Sequence, residues 1–337
     1  MGQHENLMRV LVTGGGGFLG EAIVRSLLAK GHQVRSLSRG YYPALRSIGV
    51  ELSQGDLCDP IVVKEACRDC DLVFHVAAKA EIWGDYADYY RTNVIGTKNI
   101  VASCQSLSIS RLVFTSSPSV VFNGRDMENA DESVPYPKHY KAAYPATKAA
   151  AERIVLSANN ERLATIALRP HLIWGPYDTH LVPGIIARGR IGKLRKLGLG
   201  IKMVDCTYID NAVEAHLLAA ERLSPGSPIS GRVFFISQGQ PIPLWEFINQ
   251  ILAAADIPAV TGTVPTRLAY MMAWICELAY KGLRLKGEPM LTRFLVEELA
   301  TSHWFNISAA QLELSYYPKI SIDEGFRRLK AWINSET

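Results

Sequence analysis

Tyr144 stands four residues before Lys148 in YPATK. At neutral pH a phenol of ordinary pKa is a poor proton shuttle unless a nearby cation stabilises its phenolate. Residues four apart on a helix lie one above the other, so an ammonium at 148 is placed to sit beneath a phenol at 144. The pair suits carbonyl reduction, which needs a hydride donor, an acid for the developing alkoxide and a dipole holding the carbonyl. Pro145 complicates the geometry, because the residue before a proline is pushed away from helical φ/ψ. The easiest resolution puts Tyr144 at the helix start and Pro145 in its first turn, where no backbone N–H is missed.

A hydride carrier needs a cradle, and TGGGGFLG (13–20) is the candidate. It follows the apolar run RVLVT and opens FLGEAIVRSLLAK, in which Ile23 with Leu27 and Val24 with Leu28 repeat at helical spacing. Glycines let the backbone approach a pyrophosphate, and the free N–H groups of a helix start favour its charge. Both GxGxxG from Gly15 and GxxGxxG from Gly14 fit, and the candidate binding residues are Gly14, Gly17, Phe18, Leu19 and Gly20. After the second strand, where a carboxylate would receive the ribose hydroxyls of NAD, stand Ser38 and Arg39. Without that carboxylate a 2′-phosphate is not repelled, and a guanidinium can pair with it in bidentate fashion. The expected cofactor is therefore NADP(H) in preference to NAD(H). Asp56 in QGDLCD is placed to reach the adenine amino group, with Leu57 as an apolar wall.

The elements that must position these groups are legible as short apolar runs between helix-like stretches. RVLVT (9–13), QVRSLS (33–38), VELSQ (50–54), DLVFHVAA (71–78), RLVFTS (111–116) and LATIAL (163–168) alternate with helical segments. That rhythm predicts an α/β fold with a Rossmann-type doubly wound parallel sheet. Beyond LRPHLIWGP (168–176) it breaks, leaving a helix candidate at 181–190, a strand at RVFFIS (232–237) and mostly helical material. The expected division is a cofactor domain of residues 1–175 plus about 205–240, with a smaller, mainly helical substrate region of 176–204 and 241–337. The apolar stretch 267–285 reads as a buried helix or tunnel wall, or as a surface touching membrane. The run ARGRIGKLRKLGLGIK (187–202) holds six positive charges and no acid. It reads as a solvated loop, or as an attractor for a carboxylate or phosphopantetheine-type substrate.

Composition narrows the partners. With 36 basic and 32 acidic residues, a net charge of +4 falls short of a nucleic-acid binder. No apolar run reaches transmembrane length, and the first residues lack a secretory signal, so a cytoplasmic protein is expected. The six cysteines are irregularly spaced, and the CxxC of Cys67 and Cys70 lacks a second ligand pair, which makes it a pair of structural thiols. Neither HExxH nor any other metal spacing occurs.

Several motifs in order carry a more specific resemblance. TGGGGFLG, GDLCD, FHVAAKA (74–80), NVIGTKN (93–99), FTSSPSVV (114–121), YPATK, LRPHLIWGP and TYIDNAVEAH (207–216) are similar to those of the extended short-chain dehydrogenase/reductases. The branch resembled is that of the 3β-hydroxysteroid dehydrogenases, over nearly the whole chain. RGYYPALRSIGV, AAKAEIWGDY, RPHLIWGPYDTHLVP and EPMLTRFLVEEL narrow the likeness to members acting in bacterial long-chain olefin biosynthesis. The resemblance implies that Tyr144 is the general acid in reduction and base in oxidation, with Lys148 as tuner and binder of the cofactor ribose. Ser117 is the third member, its hydroxyl bonding the substrate oxygen, with Ser119 the nearest competitor. Ala77, Ala78, Lys79, Pro170 and Leu172 would border the cofactor, and Asn93 would serve a structural, cofactor-side or water-relay role. The implied reaction is NADPH-dependent reduction of the 3-oxo group of a long-chain 2-alkyl-3-oxoalkanoate. A 3β-hydroxysteroid or 4-carboxysterol dehydrogenase, a nucleotide-sugar epimerase and an NADP-sensing regulator are the rivals. A small apolar substrate, a homodimer through helices near 84–107 and 142–159, and association with enzymes of the same pathway complete the expectation.

Overall fold

The computed structural model describes residues 7–285 and 287–336. Seven parallel strands form its main sheet: β1 (Arg9–Thr13), β2 (Gln33–Ser38), β3 (Glu51–Gln54), β4 (Leu72–His75), β5 (Arg111–Thr115), β6 (Ala164–Pro170) and β7 (Arg232–Ile236). Their spatial order is β7-β6-β5-β4-β1-β2-β3, so the winding direction reverses between β1 and β4. Ligands of doubly wound sheets bind above such a switch point. Each strand anticipated from sequence is present, displaced by at most a few residues at its ends.

The strands are apolar runs because helices cover both faces of the sheet. Val10 and Val12 point to one side, where they pack with Ile23, Val24 and Leu27 of α1 (Phe18–Ala29). Leu11, between them, points to the other. There it meets α2 (Pro60–Cys67), α3 (Gly96–Ser106) and α4 (Ala143–Ser157) through Val63, Ile100, Ala151 and Val155. Cys67, Cys70 and Cys104 are buried in this layer as free thiols, and burial pushes the Cys70 thiol up to about 12. They are packing residues.

Beyond β6 the chain forms α5 (Leu181–Arg190) and then α6 (Ile209–Arg222), which returns to lie beside α1. α7 (Leu244–Ala254), α8 (Thr266–Gly282), α9 (Arg293–Ala300) and α10 (Ile322–Glu336) follow β7. Trp174, Phe247, Ala310, Leu314 and Leu329 share one buried cluster with Phe234 of β7, so residues 308–329 pack on the main sheet's core. A second sheet stitches the C-terminal half to the region after β5. Met203–Val204 pairs with Ile242–Pro243 and with His303–Phe305, which pairs in turn with Met127–Ala130.

Candidate active site

Above the switch point lies a cleft of about 580 Å3. Its cofactor-side wall is the glycine loop, and the backbone decides which reading of that loop applies. Gly14 adopts φ +71 and lies so close to Ala77 that a Cβ would approach its Cα to 2.9 Å. Gly17 is the N-cap of α1 and supplies no side-chain cap. A Cβ on Gly20 would stand 2.1 Å from the Gly14 carbonyl oxygen. Gly14, Gly17 and Gly20 line the cleft and Gly15 does not, which is the GxxGxxG reading, although a Cβ on Gly15 would also stand 2.4 Å from Ser36 Oγ. A dinucleotide fits this cradle: the backbone is bare where a pyrophosphate would approach, and the N–H groups at the start of α1 have no side-chain cap. Ser38 Oγ, buried at the cleft wall, has no partner among the described residues.

Leu19, Phe18, Ser38, Arg39, Asp56 and Leu57 line the same wall. Asp56 Oδ1 accepts from Cys58 N at 2.9 Å, and this bond, with the Arg39 charge in a smaller part, holds its carboxyl below the usual value. Tyr42, absent from the sequence reading, also lines the cleft and lies over the loop: a Cβ on Gly16 would stand 2.3 Å from its ring. The signal was the aromatic pair directly after Arg39-Gly40.

Ser117, Tyr144, Lys148, Pro170 and Leu172 line the cleft with Ala77 and Ala78. Tyr144 is the second residue of α4 and Pro145 the third, so the proline sits in the first turn as anticipated. Burial raises the phenol above its ordinary value; a hydrogen bond with the Ser117 hydroxyl works against this, and the Glu298 carboxylate of α9 adds to it. Ser117 caps the short helix Pro118–Val121, its Oγ accepting from Ser119 N at 3.2 Å. That contact separates it from Ser119, which lies outside the cleft lining. Lys148 is buried, and its Nζ donates to Thr115 O at 2.6 Å and stands 4.1 Å from the Phe114 ring centroid. Burial lowers its pKa to about 7 against the opposing pull of Glu152. No bond among the described residues links this ammonium to the phenol, which differs from the simple stacked pair of the i, i+4 spacing.

Lys79 and Asn93 do not line the cleft. Lys79 Nζ turns to Glu81 at 3.3 Å and lies 5.1 Å from the Tyr89 ring centroid. Asn93, in the π-helical segment Tyr90–Ile95, clamps the loop beneath the site. Its Oδ1 accepts from Lys79 N at 2.8 Å, and its Nδ2 donates to Lys79 O and to Thr147 Oγ1, both at 3.0 Å. A buried polar column continues below. Thr13 Oγ1 and His75 Nδ1 are 2.8 Å apart, His75 Nε2 and Thr97 Oγ1 2.9 Å, and Thr97 donates to Asn93 O. Burial lowers His75 to about 3, so the ring is neutral. Sequence reading missed this column because its members are scattered over four elements.

α9 packs against the segment between β5 and α4. Phe294 meets Phe122 edge-on with centroids 6.1 Å apart, and Glu297 pairs with Lys141. Glu298, beside them, has its carboxyl pushed up to about 7 by burial.

Comparison with known proteins decides what this arrangement belongs to. Residues 11–264 match the 3-beta hydroxysteroid dehydrogenase/isomerase family. The chain belongs to that family. It is an oxidoreductase of the extended short-chain dehydrogenase/reductase type, with an NAD(P)-binding Rossmann fold. It is 50% identical over 327 residues to a 2-alkyl-3-oxoalkanoate reductase of Stenotrophomonas maltophilia, covering 96% of this chain and 99% of that one. A mouse sterol-4-alpha-carboxylate 3-dehydrogenase, decarboxylating, is 34% identical, with 94% of this chain and 88% of that protein covered. In fold, the chain matches the Thermus thermophilus UDP-glucose 4-epimerase solved with NAD, at a TM-score of 0.72 and 24% identity, covering 98% of this chain and all of that one.

Proposed function

We propose that this oxidoreductase reduces the 3-oxo group of a long-chain 2-alkyl-3-oxoalkanoate to the 3-hydroxy acid, with NADPH preferred over NADH. The observation that carries the reading is the near end-to-end 50% identity to a reductase of that name. The nicotinamide, when bound, supplies the hydride. Tyr144 donates its phenolic proton to the carbonyl oxygen, and in the oxidative direction takes it back. Ser117 Oγ accepts from Ser119 N and bonds the Tyr144 hydroxyl, and with substrate in place its proton turns to the same carbonyl oxygen. Lys148, as a cation, stabilises the phenolate left behind. Asn93 acts through the Lys79 backbone that it holds.

Arg39 and Ser38 would take the 2′-phosphate, the one by charge and the other through an otherwise orphaned hydroxyl. Residues 1–175 with about 205–240 serve the cofactor, and 176–204 with 241–337 serve the substrate. A cytoplasmic location agrees with six unpaired cysteines. A second reading, dehydrogenation of a 4-carboxysterol, is favoured by the 34% identity to the mouse enzyme.

A panel of 2-alkyl-3-oxo acids of rising chain length, set against 3-hydroxy-4-carboxysterols with each cofactor, separates the two. The rate with NADPH should rise with alkyl length, whereas turnover of the sterol alone would overturn the assignment. Tyr144→Phe should lose about 10²–10⁴ of kcat while still binding NADPH; near-normal turnover would remove Tyr144 from the mechanism.

A further inference from the structure

Helix α8 is built inside out for a water-facing helix. Its buried side carries Ala269, Ala273 and Glu277, the last paired with Arg293. Its outer side carries Leu268, Met271, Met272, Trp274, Ile275 and Leu278, each at least 43% exposed. Their spacings of three and four gather most of them on one face. The surface continues past the helix start. Lys196–Leu197 pairs with Thr263–Val264 just before α8, and Gly198 N donates to Val264 O. The loop carrying Leu199 and Ile201, 99% and 77% exposed, therefore begins beside the N-terminal end of α8. Exposed apolar side chains gathered in this way mark an interaction surface.

The exposed charges of α8 and of the stretch leading to the loop have one sign. Arg267, Lys281 and Arg284 are exposed along and just beyond the helix, and Arg190, Lys193 and Arg195 in the stretch that leads to the loop. None of the six has a carboxylate partner among the described residues. Residues 266–285 contain one acid, the buried Glu277, and residues 187–202 none. A second copy docked through these two segments by a two-fold axis would bring cations to cations, with no acid in either segment but the buried Glu277. An anionic surface with an apolar interior satisfies both features.

We propose that α8 and the 198–201 loop form a peripheral docking face for an anionic lipid surface, with α8 lying in the plane of the headgroups. The helix has 17 residues, about 25 Å, and no helix among the described residues is long and apolar enough to cross a membrane. The basic stretch 187–202 then has a role other than drawing substrate. This inference does not depend on the substrate assignment.

The test is co-sedimentation of the full-length protein with vesicles of phosphatidylglycerol and phosphatidylcholine, or of phosphatidylcholine alone, at low and high salt. Binding at least about tenfold tighter to the anionic vesicles, weakened by salt, is expected. Met271→Glu with Ile275→Glu should abolish it, as should Arg267→Glu with Lys281→Glu. NADPH binding and circular dichroism should stay as in the wild type. Failure of the wild type to sediment with anionic vesicles, or equal sedimentation of wild type and both variants, overturns the proposal. So does a wild-type dimer that the Met271/Ile275 variant splits, which would give the face to a second copy.

Discussion

Two cations on neighbouring elements are buried to almost the same extent and treated in opposite ways. Arg169 of β6 meets Glu152 of α4 through Nε at 3.0 Å and Nη2 at 2.6 Å, and Tyr136 donates to the same carboxylate at 2.5 Å. Lys148, one turn before Glu152 on the same helix, has among the described residues only the Thr115 carbonyl and the face of Phe114. Against the pull of burial, pairing with Glu152 raises the guanidinium pKa above its ordinary value, and the pair makes a strut behind the sheet. Leaving the amine without a carboxylate of its own brings it to about 7, where its charge can change during a catalytic cycle. The difference teaches where this fold spends the Glu152 carboxylate: on holding α4 to β6, so that the helix carrying the tyrosine stands still.

The largest effect should come from breaking the strut. Glu152→Ala strands the Arg169 guanidinium in the core and should cost about 3–5 kcal/mol in urea unfolding. Replacing both partners by methionine should restore most of that loss, because no buried charge remains. A loss below about 1 kcal/mol for the single change would mean that the pair is not a strut. Glu152 also pulls the Lys148 pKa upward, so Glu152→Gln should move the lysine lower still.

The second effect is read through pH. Lys148 is depressed in the folded protein from 10.5 to about 7, so below pH 7 both states hold the proton and the burial cost is fully present. Between about 7 and 10.5 the unfolded chain holds more protons, and stability rises with pH. Lys148→Met should therefore stabilise by about 2–4 kcal/mol at pH 6, with the gain fading towards pH 10. In the wild type, kcat/KM for reduction should fall above about pH 7 as the cation is lost. A gain independent of pH, together with a flat rate profile, would place the titration elsewhere.

The same contrast explains what could be read from the sequence. Strands buried on both faces must be apolar along their length, so the central strands showed themselves as runs, whereas β3, the edge strand Glu51–Gln54 with both ends exposed, showed only a weak one. The glycine loop and the tyrosine, lysine and serine motifs were equally plain, and they line one cleft. The choice between Gly14 and Gly15 was not legible, because it rests on φ at Gly14 and on the approach of Ala77. Two-residue strands such as Met203–Val204 are too short to carry a period. The Glu152–Arg169 pair and the Glu298 carboxyl beside Tyr144 join residues far apart in sequence, and only packing brings them together. Tyr42 belongs with these: the aromatic pair after Arg39-Gly40 marked it, but only packing lays its ring on Gly16.

The smallest effect extends the comparison to a third cation, Arg39, which is exposed where the other two are buried. Its backbone is fixed, since Gln54 Nε2 donates to its carbonyl at 3.0 Å, while its guanidinium is left to the cleft and to the field of Asp56. An exposed charge of this kind contributes little to folding, so Arg39→Ala should change stability by less than about 0.5 kcal/mol. Facing a 2′-phosphate it has a partner that the folded chain does not supply, and a charge-assisted pair in partly solvated surroundings is worth about a factor of ten. The NADPH-to-NADH ratio of kcat/KM should therefore narrow about tenfold in Arg39→Ala, and Arg39→Glu should narrow it further by adding the repulsion that this site lacks. The effect should shrink as salt screens the phosphate. A ratio unchanged by either substitution would mean that the phosphate is read elsewhere on the cleft wall, with Ser38 the next residue to replace.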